Sequence, residues 1–374
     1  MYDDLAELVR RPRRQALMGQ LGVQLTPWTD SRELVGLARR LADVVDTVWV
    51  QDQMLARNVY ALLGAIAYAG CGVGTNVTYP IGRNPIEMAS ALATIAELVP
   101  GDRDLLVGLG TGGALVDSLF RKDRPVAAVR ESIQLMRALW SGARVDLGEF
   151  PVLGSALGCR PAAVAELTYP VARVPQILVA GVGPKILAVA GAHADGLISP
   201  SSLPTSSRAA LLAGDFSQIC GLDRARAARP PGMAPLRLIF GINVSVSADR
   251  KRAREYARRQ VALVAGNPRL WPDLERVGLD VDSAGAVKNA FDQGLGIDGA
   301  AAQCSEALAD ALIVSGTPQE CIPAMTELRD LAATRGYTDF YVGGPLGPDP
   351  AEAAGLLVAQ VMPAVWPGRG PGRR

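Results

Sequence analysis

The stretch CGVGTNVTYPIGRNPIEMASALATIAELVPGDRDLLVGLGTG, residues 71–112, decides how this chain is read. It opens on an apolar strand-like run that ends near Pro80 and turns through Gly-Arg-Asn-Pro. A helical run from Asn84 to Val99 follows, breaks at Pro-Gly-Asp and gives way to a second apolar run from Asp104. Strands that are apolar on both faces and separated by helices pair in parallel, joined by right-handed crossovers. Pro85 suits the first turn of the helix, where its missing N–H is no loss.

The same unit recurs on either side. MGQLGVQLT (18–26) precedes SRELVGLARRLADVV (31–45), and DTVWVQD (46–52) precedes ARNVYALLGAIAYA (56–69). PQILVAGVG (175–183) leads into PKILAVAGAH, and ADGLISP (194–200) follows. PLRLIFGINVSVS (235–247), ADALIVSG (309–316) and TDFYVGGP (338–345) complete the strand candidates. The fold expected is α/β, a closed (β/α)8 TIM barrel with insertions. The candidates exceed eight by one, so one of them belongs to an insertion or lies outside the ring. A single domain over 1–374 is expected, its core at about 18–364, with insertions at about 141–175, 201–229 and 267–302.

Composition narrows the function. With 374 residues, 49% of them apolar, the chain can bury a large core. A net charge of +1 recruits no nucleic acid, and the basic clusters Arg10 to Arg14 and Arg369 to Arg374 lie at the two ends. No stretch approaches the roughly 20 apolar residues of a membrane helix, and the N-terminus lacks an apolar leader. The expectation is a cytoplasmic protein with neither a membrane nor a nucleic acid as partner. Cys71, Cys159, Cys220, Cys304 and Cys321 are odd in number and far apart, without a Cys-x-x-Cys pair, so they read as buried small hydrophobes. His193 is the single histidine, which excludes a His-rich metal centre, and no metal is expected. It ends an apolar helical run, where imidazole suits the helix dipole, so a structural role is expected in place of a Ser-His-Asp triad.

In such a barrel the chemistry sits at the C-terminal ends of the strands. Polar residues collect there: Gln24 and Thr26 after the first strand, Asp52 and Gln53 after the second, then Thr75, Asn76, Thr78 and Tyr79, then Gly110 to Gly113. AGVGPK (180–185) forms a phosphate seat, since Gly181 and Gly183 permit close backbone approach, Pro184 opens a helix and Lys185 adds a cation. It lacks the Gly-Lys-Ser/Thr of a P-loop, and GLGTGG (108–113) has the wrong glycine spacing for a dinucleotide fingerprint.

Several motifs carry a resemblance: VWVQDQ, GTNVTYPIGRNPIEMASALATIAEL, DLLVGLGTGGAL, RPVAAVRESIQLMRALWSG, VPQILVAGVGPKILAVAGAHADGLISP, IVSGTPQECIPAM and YVGGPLGPDP. In this order, from about Leu21 to Met362, they resemble the bacterial luciferase-like superfamily, and within it the deazaflavin-dependent branch that includes methylenetetrahydromethanopterin reductase. The resemblance implies a TIM-like barrel holding coenzyme F420 or FMN at its C-terminal mouth, a homodimer, and a cis peptide at Asn76-Val77. It implies cofactor contacts at Asp52, Thr75, Asn76, Val77, Gly110, Thr111, Gly112, Gly181, Val182, Gly183, Pro184 and Lys185. Gln24, Trp28, Gln53 and Tyr79 would then meet a small-molecule substrate, with Asp52, Gln53 and Tyr79 in the chemistry.

Departures from the family pattern matter equally. Sugar-phosphate-oxidising members carry His and Glu where this chain has Gln53 and Gly113; the methanopterin-type reductases carry Glu in place of Gln24. Many members have His in place of Asn84, and Gly is usual in place of Asn76. An amide cannot exchange a proton near working pH, so alcohol oxidation loses its acid–base machinery. The expectation is a reductase using reduced F420, F420H2, to deliver hydride to an activated C=N or C=C bond, with the proton from water, Tyr79 or Asp52. Arg83, Lys122 and Lys185 are candidates for meeting a phosphate or an acidic glutamyl tail. An FMN-dependent monooxygenase and a non-catalytic or non-redox family member are the alternatives. Abundant Ala, Arg and Pro point to a high-GC bacterial source and a tailoring role in specialised-metabolite biosynthesis.

Overall fold

The computed structural model describes residues 19–199, 201 and 203–369. Nine strands form one parallel sheet: β1 (Leu21–Leu25), β2 (Thr47–Val50), β3 (Gly72–Thr78), β4 (Leu105–Leu109), β5 (Gln176–Ala180), β6 (Gly196–Ser199), β7 (Arg237–Val246), β8 (Val314–Gly316) and β9 (Asp339–Leu346). Eight of them close a ring. β6 pairs with β7 at Gly196↔Arg237, β7 with β9 at Ile239↔Asp339, and β9 with β1 at Phe340↔Leu21. The ninth candidate, now β8, pairs only with the far end of β7, Val314↔Val244 to Gly316↔Val246. β7 is ten residues long; one edge pairs with β9 from Ile239 to Ser245, and the other is shared between β6 in its first half and β8 in its second.

Helices α1 (Ser31–Leu41), α2 (Val59–Tyr68), α3 (Pro85–Leu98), α4 (Pro125–Trp140), α5 (Pro184–His193), α6 (Arg250–Ala265) and α7 (Pro318–Thr334) pack outside the sheet. Leu37, Leu41, Leu63, Ile66, Met88 and Leu92 fill the layer between helices and ring. Local chemistry starts each element where the sequence indicates; in α3, Asn84 Oδ1 accepts from the Ile86 amide at 2.9 Å, and Pro85 takes the first turn.

Inside the ring, Trp49 and Tyr341 pack at 6.3 Å between centroids, together with Leu106, Leu178, Ile198 and Ile239. Glycines make the room. A Cβ on Gly22 would lie 2.3 Å from Trp49 Nε1, one on Gly74 2.7 Å from Trp49 Cε3, and one on Gly241 2.4 Å from Tyr341 Cζ. At the N-terminal end of the barrel Arg237 meets Asp339 at 2.7 Å, Gln176 at 2.9 Å and Asp104 at 3.4 Å, a polar plug of the kind that serves stability.

Residues 141–175 carry a short antiparallel pair, Val145–Asp146 with Val164–Ala165, and the helix Pro151–Leu157. Buried Glu131 anchors them by accepting from the amides of Val152 and Leu153 at 2.9 and 3.0 Å. Between β7 and β8, α6 and the short helices that end at Leu312 enclose an apolar cluster of their own around Val261, Leu274, Val287 and Leu308. Among the described residues the five cysteines form no disulfide, and only Cys159 is more than marginally exposed. His193 ends α5, where burial, with Arg130 and Arg137 nearby, lowers its pKa. Among the described residues no helix is long and apolar enough to cross a membrane, and no group of three His, Cys, Asp or Glu side chains could hold a metal ion.

Candidate active site

The C-terminal ends of the strands open into a cavity of about 790 Å³, within the size range of small-molecule sites. Gln24 and Trp28 line it from the β1 side, Gln51, Asp52 and Gln53 from β2, and Asn76, Val77 and Tyr79 from β3. Gly110 to Gly113, Gly181, Asn243, Tyr341 and Gly344 continue the rim, and Gln260, Leu263 and Val264 of α6 lean over it.

The floor is set by an irregularity in β3. Its pairing with β4 runs to Thr75↔Val107, slips, and resumes at Thr78↔Leu109; the two residues in the slip, Asn76 and Val77, are joined by a cis peptide. β4 accepts this bulge because it carries glycine opposite. A Cβ on Gly108 would sit 2.3 Å from the Thr75 carbonyl oxygen and 3.0 Å from Val77 Cγ1, and one on Gly110 would sit 2.9 Å from Val77 Cγ2. Gly112, at φ +82°, adopts a backbone that other residues rarely take.

Among the described lining residues one charged group faces the cavity, and it is fully engaged. Asp52 receives Arg83 through Nη2 at 2.6 Å and Nε at 3.0 Å, and the Thr78 hydroxyl at 2.7 Å. Tyr60 hydroxyl pairs with Thr78 Oγ1 at 2.9 Å, and burial raises its pKa. Tyr79 donates to the Asp52 carbonyl oxygen at 3.3 Å; burial, then the Asp52 charge, raise its pKa, so it holds its proton through neutral and moderately alkaline pH.

Of the residues singled out in the sequence, Gln24, Trp28, Asp52, Gln53, Asn76, Val77, Tyr79, Gly110, Thr111, Gly112 and Gly181 meet at this cavity. Thr75 does not; it is buried, and its hydroxyl donates to the Gly108 carbonyl at 2.9 Å. Val182, Gly183, Pro184 and Lys185 follow Gly181 away from the lining to the start of α5, where Pro184 and Lys185 are exposed. Lys122 is occupied by Asp117 and by the carbonyls of Thr111 and Gly112, and so braces the glycine loop. Sequence reasoning passed over Tyr341, Asn243 and the α6 residues. Asn243, a lone amide inside an apolar strand, was the signal available; α6 offered none.

The chain matches the model of the luciferase-like monooxygenase family over residues 14–335. It belongs to that family. Among curated proteins it is 29% identical to a 5,10-methylenetetrahydromethanopterin reductase of Archaeoglobus fulgidus, over 92% of this chain and 99% of that one. It is 36% identical to an F420-dependent glucose-6-phosphate dehydrogenase of Rhodococcus hoagii, over 34% of this chain and 38% of that one. The solved tetrahydromethanopterin reductase of Methanopyrus kandleri superposes with a TM-score of 0.71 at 22% identity, over 92% of this chain and 98% of that one, which establishes the shared fold. In this luciferase-like protein the large cavity lies at the C-terminal mouth of the barrel.

Proposed function

We propose that this luciferase-like protein is a cytoplasmic F420-dependent reductase acting on an activated C=N or C=C bond of a small molecule, in a tailoring step of specialised metabolism. The observation that carries the reading is the cavity itself, an open slot above Val77 that glycines keep free of side chains where a flat heterocycle needs room. The relatives named as F420-dependent glucose-6-phosphate dehydrogenases, matched over 34% of this chain, support the cofactor class.

Val77, Gly110 and Thr111 would flank the ring system, with Asp52 behind it. Gly181 to Lys185 and the free amides at the start of α5 would take the anionic tail. Bound there, reduced F420 supplies the hydride. The chain's own part is positional. The Arg83–Asp52–Thr78–Tyr60 network fixes the ends of β2 and β3, and Leu263, Val264 and Trp28 place apolar surface at the mouth. Tyr79 keeps a proton at its hydroxyl beside the cavity, resting on the Asp52 carbonyl, and to it we assign protonation; the Asp52 carboxylate is held as the charge partner of Arg83. Cysteines without a disulfide among the described residues fit a reducing compartment. A homodimer fits the apolar outer face of α2, where Tyr68 is 81% exposed beside Ala61 and Ala65.

Titration with F420, FMN and NAD tests this directly. F420 binds in the micromolar range or tighter, and FMN and NAD do not. Tight FMN binding with oxygen consumption would instead make the protein a monooxygenase, and binding of neither flavin would make it a non-redox member.

A further inference from the structure

The cavity is electrically quiet. Among its described lining residues there is no Lys, Arg or His, and the one carboxylate, Asp52, is neutralised by Arg83. In place of charges stand six carboxamides: Gln24, Gln51, Gln53, Asn76, Asn243 and Gln260. A charged reacting group would surrender its hydration here without meeting a counter-ion, whereas a neutral polar one finds partners.

One of these amides is fixed in orientation. Gln24 is 4% exposed, and its Oε1 accepts from Asn76 Nδ2 at 2.6 Å. Asn76 is itself held in the β3 bulge beside the Tyr341 hydroxyl. With its oxygen taken, Gln24 presents Nε2, for which the described protein offers no acceptor, to the cavity. That N–H group is open to the cavity, and a ligand oxygen or nitrogen at that spot becomes its acceptor.

Resting on the reductase reading above, we propose that the substrate is an uncharged electrophile whose acceptor atom receives Gln24 Nε2. That atom is a carbonyl oxygen conjugated to the C=C bond, or the nitrogen of a neutral imine. In the reduction the unsaturated bond gains a hydride and a proton while F420H2 is oxidised to F420. Between the two additions the displaced electron pair rests on the acceptor atom, where the Gln24 N–H groups meet it. Asn76 is a positioning residue, acting through Gln24.

Gln24→Glu is the discriminating variant, because a carboxylate still accepts from Asn76 but offers no N–H. F420 affinity is measured first by absorbance titration; its absence in the parent protein would sink the reductase reading, separately from this one. On the F420 complex, an uncharged cyclic enone such as cyclohexenone binds and perturbs the deazaflavin spectrum, and crotonate does not. In Gln24→Glu, kcat/KM and binding for the enone fall about 100-fold. F420 affinity stays within about twofold, and an N-methylated cyclic iminium ion gains affinity over the parent. The proposal is overturned if the variant keeps the parent's enone parameters, if crotonate binds as well as the enone, or if a complex holding F420 binds no enone.

Discussion

Asp52 and Arg83 form the most committed pair near the mouth, bidentate and almost wholly out of solvent on the carboxylate side. Replacing Asp52 by Asn leaves the Arg83 guanidinium without its charge partner, and losing one member of a buried pair costs about 3–5 kcal/mol. Asp52→Asn is expected to lower the urea midpoint accordingly with an unchanged slope, and the double variant Asp52→Asn/Arg83→Met recovers part of the loss. A midpoint within experimental error of the parent would show the pair to be ornamental. At this scale the sequence indicated many of the side chains that gather at the mouth, because polar residues ending apolar strands announce themselves, but not Tyr341, Asn243 or those of α6. It did not indicate that Asp52 points at Arg83, 31 residues on, or that Gln24 and Asn76, 52 apart, share a hydrogen bond.

At the scale of elements, the bulged β3 and its neighbour β4 act as one unit. Gly108→Ala would drive a methyl group to 2.3 Å from a backbone oxygen that cannot rotate away. The expected cost is about 1–3 kcal/mol of stability together with weakened F420 binding, read from thermal unfolding and absorbance titration. Gly101→Ala, where an added Cβ meets nothing within 4 Å and which lies outside the cavity lining, serves as the control and leaves both unchanged. Equal behaviour of the two variants would show that the floor beneath Val77 is not held by glycine. The strand–turn–helix succession through residues 71–112 was legible from periodicity and from Pro85. The slip at Asn76 and Val77 was not legible that way; only the likeness to a family located it, since alternation carries no mark of a local register shift.

For the whole molecule, α2 leaves Tyr68 and its small neighbours Ala61 and Ala65 facing outward, with Leu98 of α3 also exposed. If a second copy covers this face, sedimentation velocity gives a dimer for the parent. Tyr68→Glu then gives a monomer with its fold intact by circular dichroism. A monomeric parent would remove the homodimer from the reading. Closure of the barrel also settled a matter of count. Nine strand candidates were visible, and which one stood outside the ring followed only from the length of β7, whose edge runs on past the end of β6 and there takes β8. By itself the sequence determined the alternation of buried strands and amphipathic helices, hence a parallel barrel, and the replacement of ionisable side chains by amides. Both are local properties of pattern and residue type. Tertiary structure alone decided ring membership, the lean of α6 over the cavity and the orientation of Gln24, because each depends on contacts between segments distant in the chain, and periodicity reports that a face is buried without saying against what.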